Sequence, residues 1–126
     1  MAMAASACCG IDIQAASEAL IRVKDRFCSR EDEDILVPGL KQLPDSHYLT
    51  LLWAAKEAVK KSVSFERMPG FLDLVLIHIE TQPPDCFLFT LAFQDHHHQF
   101  KVTVGLYQGY GIALCLTPSQ NGACNA

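Results

Sequence analysis

Long apolar runs are missing from this sequence. Nothing in its 126 residues approaches the roughly 18 consecutive apolar positions that cross a bilayer, and the stretch Leu74–Ile77 is stopped by His78. A membrane-spanning helix is therefore not expected. The first ten residues, MAMAASACCG, hold no basic residue and no Leu- or Val-rich segment, a poor secretory signal that points to an intracellular, cytoplasmic protein. Positive charge is also scarce, with ten Lys and Arg against fourteen Asp and Glu and a net charge of −4. A nucleic-acid surface would then have to be a local patch, because phosphate neutralisation needs clustered cations. There is no CxxC, HxxxH or HExxH, so a closed zinc site has no framework, and no cofactor is implied.

What is present is enough for one core. Half the residues are apolar, and a chain of this size can bury about two thirds of its unfolded surface without disulfide or metal support. The expected organisation is a flexible arm over residues 1–10, one domain over 11–117 and a polar tail over 118–126. The six cysteines, two of them adjacent at Cys8 and Cys9, read as small core hydrophobes or exposed thiols of a reducing compartment.

The fold class expected is α+β, two N-terminal amphipathic helices packed on a four-stranded antiparallel meander. From Asp12 to Cys28, the residues Ile13, Ala16, Leu20, Val23 and Phe27 recur at steps of three and four, which predicts a helix with Asp12 near its cap. The acidic run Glu31–Asp34 lacks the alternating ligand register of a Ca²⁺ loop and reads as a solvated connection, with Ile35–Val37 as an edge strand or an anchor. A second helix follows Pro44-Asp45-Ser46, with Leu49, Leu52, Trp53, Val59 and Val63 on one face. Glu57 precedes Lys61 by four residues, and Lys56, Lys60 and Lys61 suit the negative end of the helix dipole.

Four runs rich in β-branched and aromatic residues then fill 71–117, separated by Pro-Pro-Asp, Asp-His-His-His and Gln-Gly. The first, with Leu74 and Leu76 on one face and Val75, Ile77 and Ile79 on the other, reads as a central strand covered on both sides. Phe87, Phe89, Leu91 and Phe93 of the second, and Phe100, Val102 and Val104 of the third, belong in the core. In the fourth, Ile112, Leu114 and Leu116 alternate with Gly111, Ala113 and Cys115, small residues that let something approach closely.

A helix followed by such a meander resembles RWD-type and roadblock-type interaction domains, without their closing C-terminal helix. The resemblance is architectural and implies association with other proteins. More apolar sheet surface is present than two helices can cover, so a protein partner or a homodimer is expected, with Tyr107, Tyr110, Ile112 and Leu114 as contact residues. The function expected is a non-enzymatic adaptor or regulatory module. One alternative is metal binding by His96 and His98, whose imidazoles suit transition metals. Another is nucleic-acid binding through Lys56, Lys60, Lys61 and Lys101. A third, cysteine-based catalysis at Cys86 or Cys115, lacks a helix N-terminus or strained elbow to activate the thiol. GLYQGYG precedes a strand instead of opening a helix, so hairpin geometry explains its glycines better than a phosphate loop.

Overall fold

A computed structural model gives the chain an α+β architecture, with residues 7–62, 70–82, 85–93 and 98–118 described. Strand β1 (Ala7–Ala15) leads to a short helix α1 (Ala19–Arg22), a 3₁₀ turn (Lys24–Arg26), helix α2 (Arg30–Gly39) and the long helix α3 (Asp45–Ser62). A second 3₁₀ turn (Phe71–Asp73) precedes β2 (Leu74–Gln82), β3 (Cys86–Phe93), β4 (Gln99–Tyr107) and β5 (Tyr110–Pro118). The strands form one antiparallel sheet in the order β1-β5-β4-β3-β2.

The meander of β2 to β5 follows the expected pairing, but a fifth strand comes from the stretch read as arm and helix. Residues 7–10 pair with Cys115–Pro118, and the pairing continues to Ala15 opposite Tyr110. The helix expected over Asp12–Cys28 shrinks to α1 and one 3₁₀ turn. A period of two prevails because β5 offers an open edge: Gly10 and Asp12 face inward, while Ile11 and Ile13 are exposed on the other side.

The acidic connection is likewise a helix. Ser29 Oγ accepts from the Asp32 amide at 3.1 Å and the Asp32 carboxylate accepts from the Ser29 amide at 2.9 Å, a reciprocal cap on α2. Glu31, Asp32 and Glu33 lie in its first turn, where acidic groups meet the positive end of the dipole. Ile35–Val37 are therefore helical, and Leu36 is the buried anchor. The first sheet run is an edge strand instead of a central one. Its register shifts between Leu76 and His78, so Leu74 and Leu76 before the bulge and Ile79 after it all reach the core.

Helix α3 lies across the inner face of the sheet. Its buried Ala54, Ala55 and Ala58 keep that surface low, and the facing strands supply glycine where they cross it. A Cβ on Gly10 would overlap the Ala58 carbonyl oxygen, and one on Gly111 would come within 2.9 Å of the Thr50 side chain. What approaches the small residues of β5 is thus this chain's own helix. The large residues of β5 point away from it, and Ile11, Ile13, Leu114 and Leu116 leave an apolar outer face. Among the described residues no helix is long and apolar enough to cross a membrane.

Candidate active site

The contact of β1 with α3 brings polar groups into a place otherwise lined by alanine and glycine. Because Gly10 lets the strand lie against the helix, the next inward position, Asp12, falls beside the last turns of α3. Its side chain is only 5% exposed, and a carboxylate so enclosed must be paired or bound. Lys61 Nζ donates to Asp12 Oδ1 at 2.8 Å and to the Ile11 carbonyl at 3.2 Å, and Gln14 Nε2 donates to Asp12 Oδ2 at 2.9 Å. Lys61 is half exposed. Its hydrogen bond to Asp12 raises its pKa above the ordinary lysine value, burial opposes the shift, and the charges of Asp12 and Glu57 add to the rise. The cation thus lies in the field of two carboxylates, Asp12 from the strand and half-buried Glu57 from one turn earlier on the helix.

Lys56, the residue before Glu57, is entirely buried. Its ammonium donates to Asp32 Oδ2 at 2.7 Å and to the carbonyls of Phe27 at 2.7 Å and Phe71 at 2.8 Å. Asp32 Oδ1 accepts from the Leu76 amide at 2.7 Å. Burial lowers the Lys56 pKa, and the charge and hydrogen bond of Asp32 oppose that shift. Trp53, one turn before Glu57, packs edge-on to Phe27 at 5.2 Å and tilted on Phe71 at 4.5 Å, and Lys60 sits 4.3 Å from the Phe71 ring centre.

The lysines expected to form a nucleic-acid patch are therefore dispersed. Lys56 is buried, Lys60 covers an aromatic ring, Lys61 serves Asp12, and Lys101 donates to Thr90 Oγ1 at 2.9 Å from β4. Of the metal candidates, His96 lies outside the described residues, and the His98 ring packs edge-on to Phe93 at 5.7 Å. No group of three or more His, Cys, Asp or Glu able to hold a metal occurs among the described residues. Cys115 is buried with its Sγ 3.5 Å from Ser62 Oγ, and Cys86 is half-buried at the start of β3.

Tyr107, Tyr110 and Leu114 are exposed and Ile112 is half-buried. Three of the four, Tyr107, Ile112 and Leu114, line a shallow groove of about 390 Å³ with Cys86, Thr103 and Gly105. That groove does not touch Asp12, Glu57 or Lys61. Sequence reading missed Asp12, Gln14 and Glu57 as a group. The available signal was an acidic residue at an inward position of the alternating segment Gly10-Ile11-Asp12-Ile13, which the helical reading spent as a cap.

Fold and cluster together define an α+β protein with a polar cluster where the edge strand of the sheet meets the end of its main helix. The model of the ACPS family, the 4'-phosphopantetheinyl transferase superfamily, matches residues 8–115, a span that includes Asp12, Glu57 and Lys61. The chain belongs to that family. Comparison with curated proteins finds no match. A transferase family is a family of enzymes, which overturns the expectation of a non-enzymatic adaptor. The architectural resemblance to RWD-type and roadblock-type domains gives way to the same finding.

Proposed function

We propose that this chain transfers a 4′-phosphopantetheinyl group from a phosphoanhydride donor to a hydroxyl on a carrier protein, with Asp12, Glu57 and Lys61 at the reaction centre. The observation that carries the reading is the 2.8 Å contact of half-exposed Lys61 with nearly buried Asp12, inside the segment matched by the family. In such a transfer the acceptor oxygen bonds to phosphorus, the bond from phosphorus to the leaving phosphate breaks, and the hydroxyl proton is released. Phosphoryl chemistry asks a protein chiefly for positioning and for neutralisation of charge.

The side chains suit those tasks. Lys61 reaches Asp12 from the solvent side, so its ammonium can turn to a phosphate oxygen without leaving the site. Asp12 and Glu57 present hard oxygen donors of the kind Mg²⁺ prefers, and Gln14 holds one oxygen of Asp12 in place. They would hold the ion between strand and helix, and Mg²⁺ bound there would offset charge on the transferring phosphate. The apolar outer face bearing Ile11, Ile13, Tyr107, Tyr110, Ile112 and Leu114 is, in this reading, the contact surface for a second copy of the chain. An intracellular, cytoplasmic setting belongs to the same reading and is supported by the free thiols Cys28, Cys86 and Cys115.

The test incubates purified protein with such a donor, Mg²⁺ and a carrier protein, and follows the carrier by mass spectrometry. A gain of one phosphopantetheinyl group is expected, with Asp12→Asn and Glu57→Gln each slowing it by about a hundredfold or more. No gain with the native protein, or native rates in both variants, would overturn the reading.

A further inference from the structure

Lys56 has no role in the site just described, yet it is one of the largest fully buried side chains and the only charged one among them. Each of its three acceptors lies on a different segment: the residue ending the first 3₁₀ turn, the first turn of α2, and the start of the second 3₁₀ turn. Through Asp32 the connection extends to β2 at Leu76, beside the bulge. The oxygen of Asp32 that meets Lys56 also accepts from the Ser29 amide in the cap of α2. Among the described residues no buried side-chain nitrogen or oxygen lacks a hydrogen-bond partner. A buried network in which each side-chain polar atom has a partner is rigid and favours a single arrangement.

Its place on α3 gives that rigidity a consequence. Lys56 and Glu57 are consecutive, so the roll of the helix that points Lys56 at Asp32 also fixes the direction of Glu57. On the opposite side, the contact of Gly10 with Ala58 fixes how closely β1, and hence Asp12, can lie against the helix. We infer that the buried Lys56–Asp32 pair is a positioning device for the reaction centre, setting the roll of α3 so that Glu57 and Lys61 meet Asp12. The inference rests on the reading of Asp12 and Glu57 as cation ligands. It adds that residues on the far side of α3, touching neither donor nor acceptor, determine how well that pair of carboxylates is formed.

An apolar replacement of the pair separates positioning from stability. A buried ion pair exchanged for well-packed apolar residues often leaves a protein as stable as before, so the double variant Lys56→Met with Asp32→Leu is compared with the native protein by urea unfolding and by calorimetric titration with Mn²⁺ alone. The expected result is a folded protein whose Mn²⁺ affinity has fallen about tenfold or more, as when supporting residues of a metal site are lost. Should the double variant not fold, Asp32→Asn, which keeps the side-chain shape and an acceptor for Leu76, is held to the same criterion below its unfolding temperature. Native Mn²⁺ affinity in the folded variant, while Glu57→Gln weakens binding, would overturn the positioning role and leave the site reading standing. Unchanged affinity in Asp12→Asn and Glu57→Gln would overturn the site reading, and this inference with it.

Discussion

Two lysines five residues apart on α3 each meet an aspartate, and the two pairs obey different physics. Lys56 and Asp32 are both fully buried, and the three donors of the ammonium go to three fixed oxygens. Lys61 is half in water, while its partner Asp12 is nearly enclosed. Removing charges from water costs several kcal/mol per ion, so the first pair persists only because every partner is in place. The second is screened by water on its lysine side, which limits what it adds to stability, but its cation can exchange partners. A lysine that cannot move suits a joint between segments, and one that can move suits a substrate site.

The contrast is tested most severely by breaking the buried pair on one side. Lys56→Met leaves the Asp32 carboxylate enclosed without a counter-ion, and stability should fall by about 3–5 kcal/mol in urea unfolding. A loss below about 1 kcal/mol would place this pair with ordinary surface ion pairs.

The same region should also fail first in alkali. Burial pushes the Cys28 thiol from its usual value of 9.0 up to about 12, and the charges of Asp32 and Glu33 add to the rise. A folded-state pKa above the unfolded one means stabilisation that is complete below about pH 9 and lost as pH climbs towards 12. The decline should amount to at most a few kcal/mol, and Cys28→Ala should flatten it. An equal slope in that variant would assign the decline to other groups.

What could be read beforehand divides along similar lines. The runs of β3 and β4 were legible because one face carries Phe87, Phe89, Leu91, Phe100, Val102 and Val104, all buried as the alternation implies. Helix α3 was legible from its apolar face, with Leu49, Leu52 and Val59 all enclosed. Strand β1 was not, since Ile13, Ala16 and Leu20 also fit a helical period, and only the open edge of β5 decides between the two. For α2 the signal was present: Ser29 followed three residues later by Asp32 is a capping pattern, outweighed by the acidity of the run. The site itself was hidden because Asp12 and Glu57 lie 45 positions apart in the chain. The approach of β1 to α3 depends on Gly10 and Ala58, whose small size carries no chemical signal of its own.

At the exposed end of α3 the expected effects on stability are small, and there the two neighbouring lysines should separate cleanly. Lys61→Ala opens Asp12 to water from the side the ammonium occupied, so the cost in stability should be about 1 kcal/mol or less. Transfer should nevertheless slow by about a hundredfold, as when one stabilising donor is removed from a reaction centre. Lys60→Ala removes only the cation above the Phe71 ring, worth about 0.5–1 kcal/mol at a partly exposed position, and should leave transfer within about threefold of the native rate. The two changes remove the same charge from adjacent residues, so a general loss of positive potential would slow both variants alike. A loss confined to Lys61→Ala requires a specific contact, and the structure offers one in the ammonium bound to Asp12.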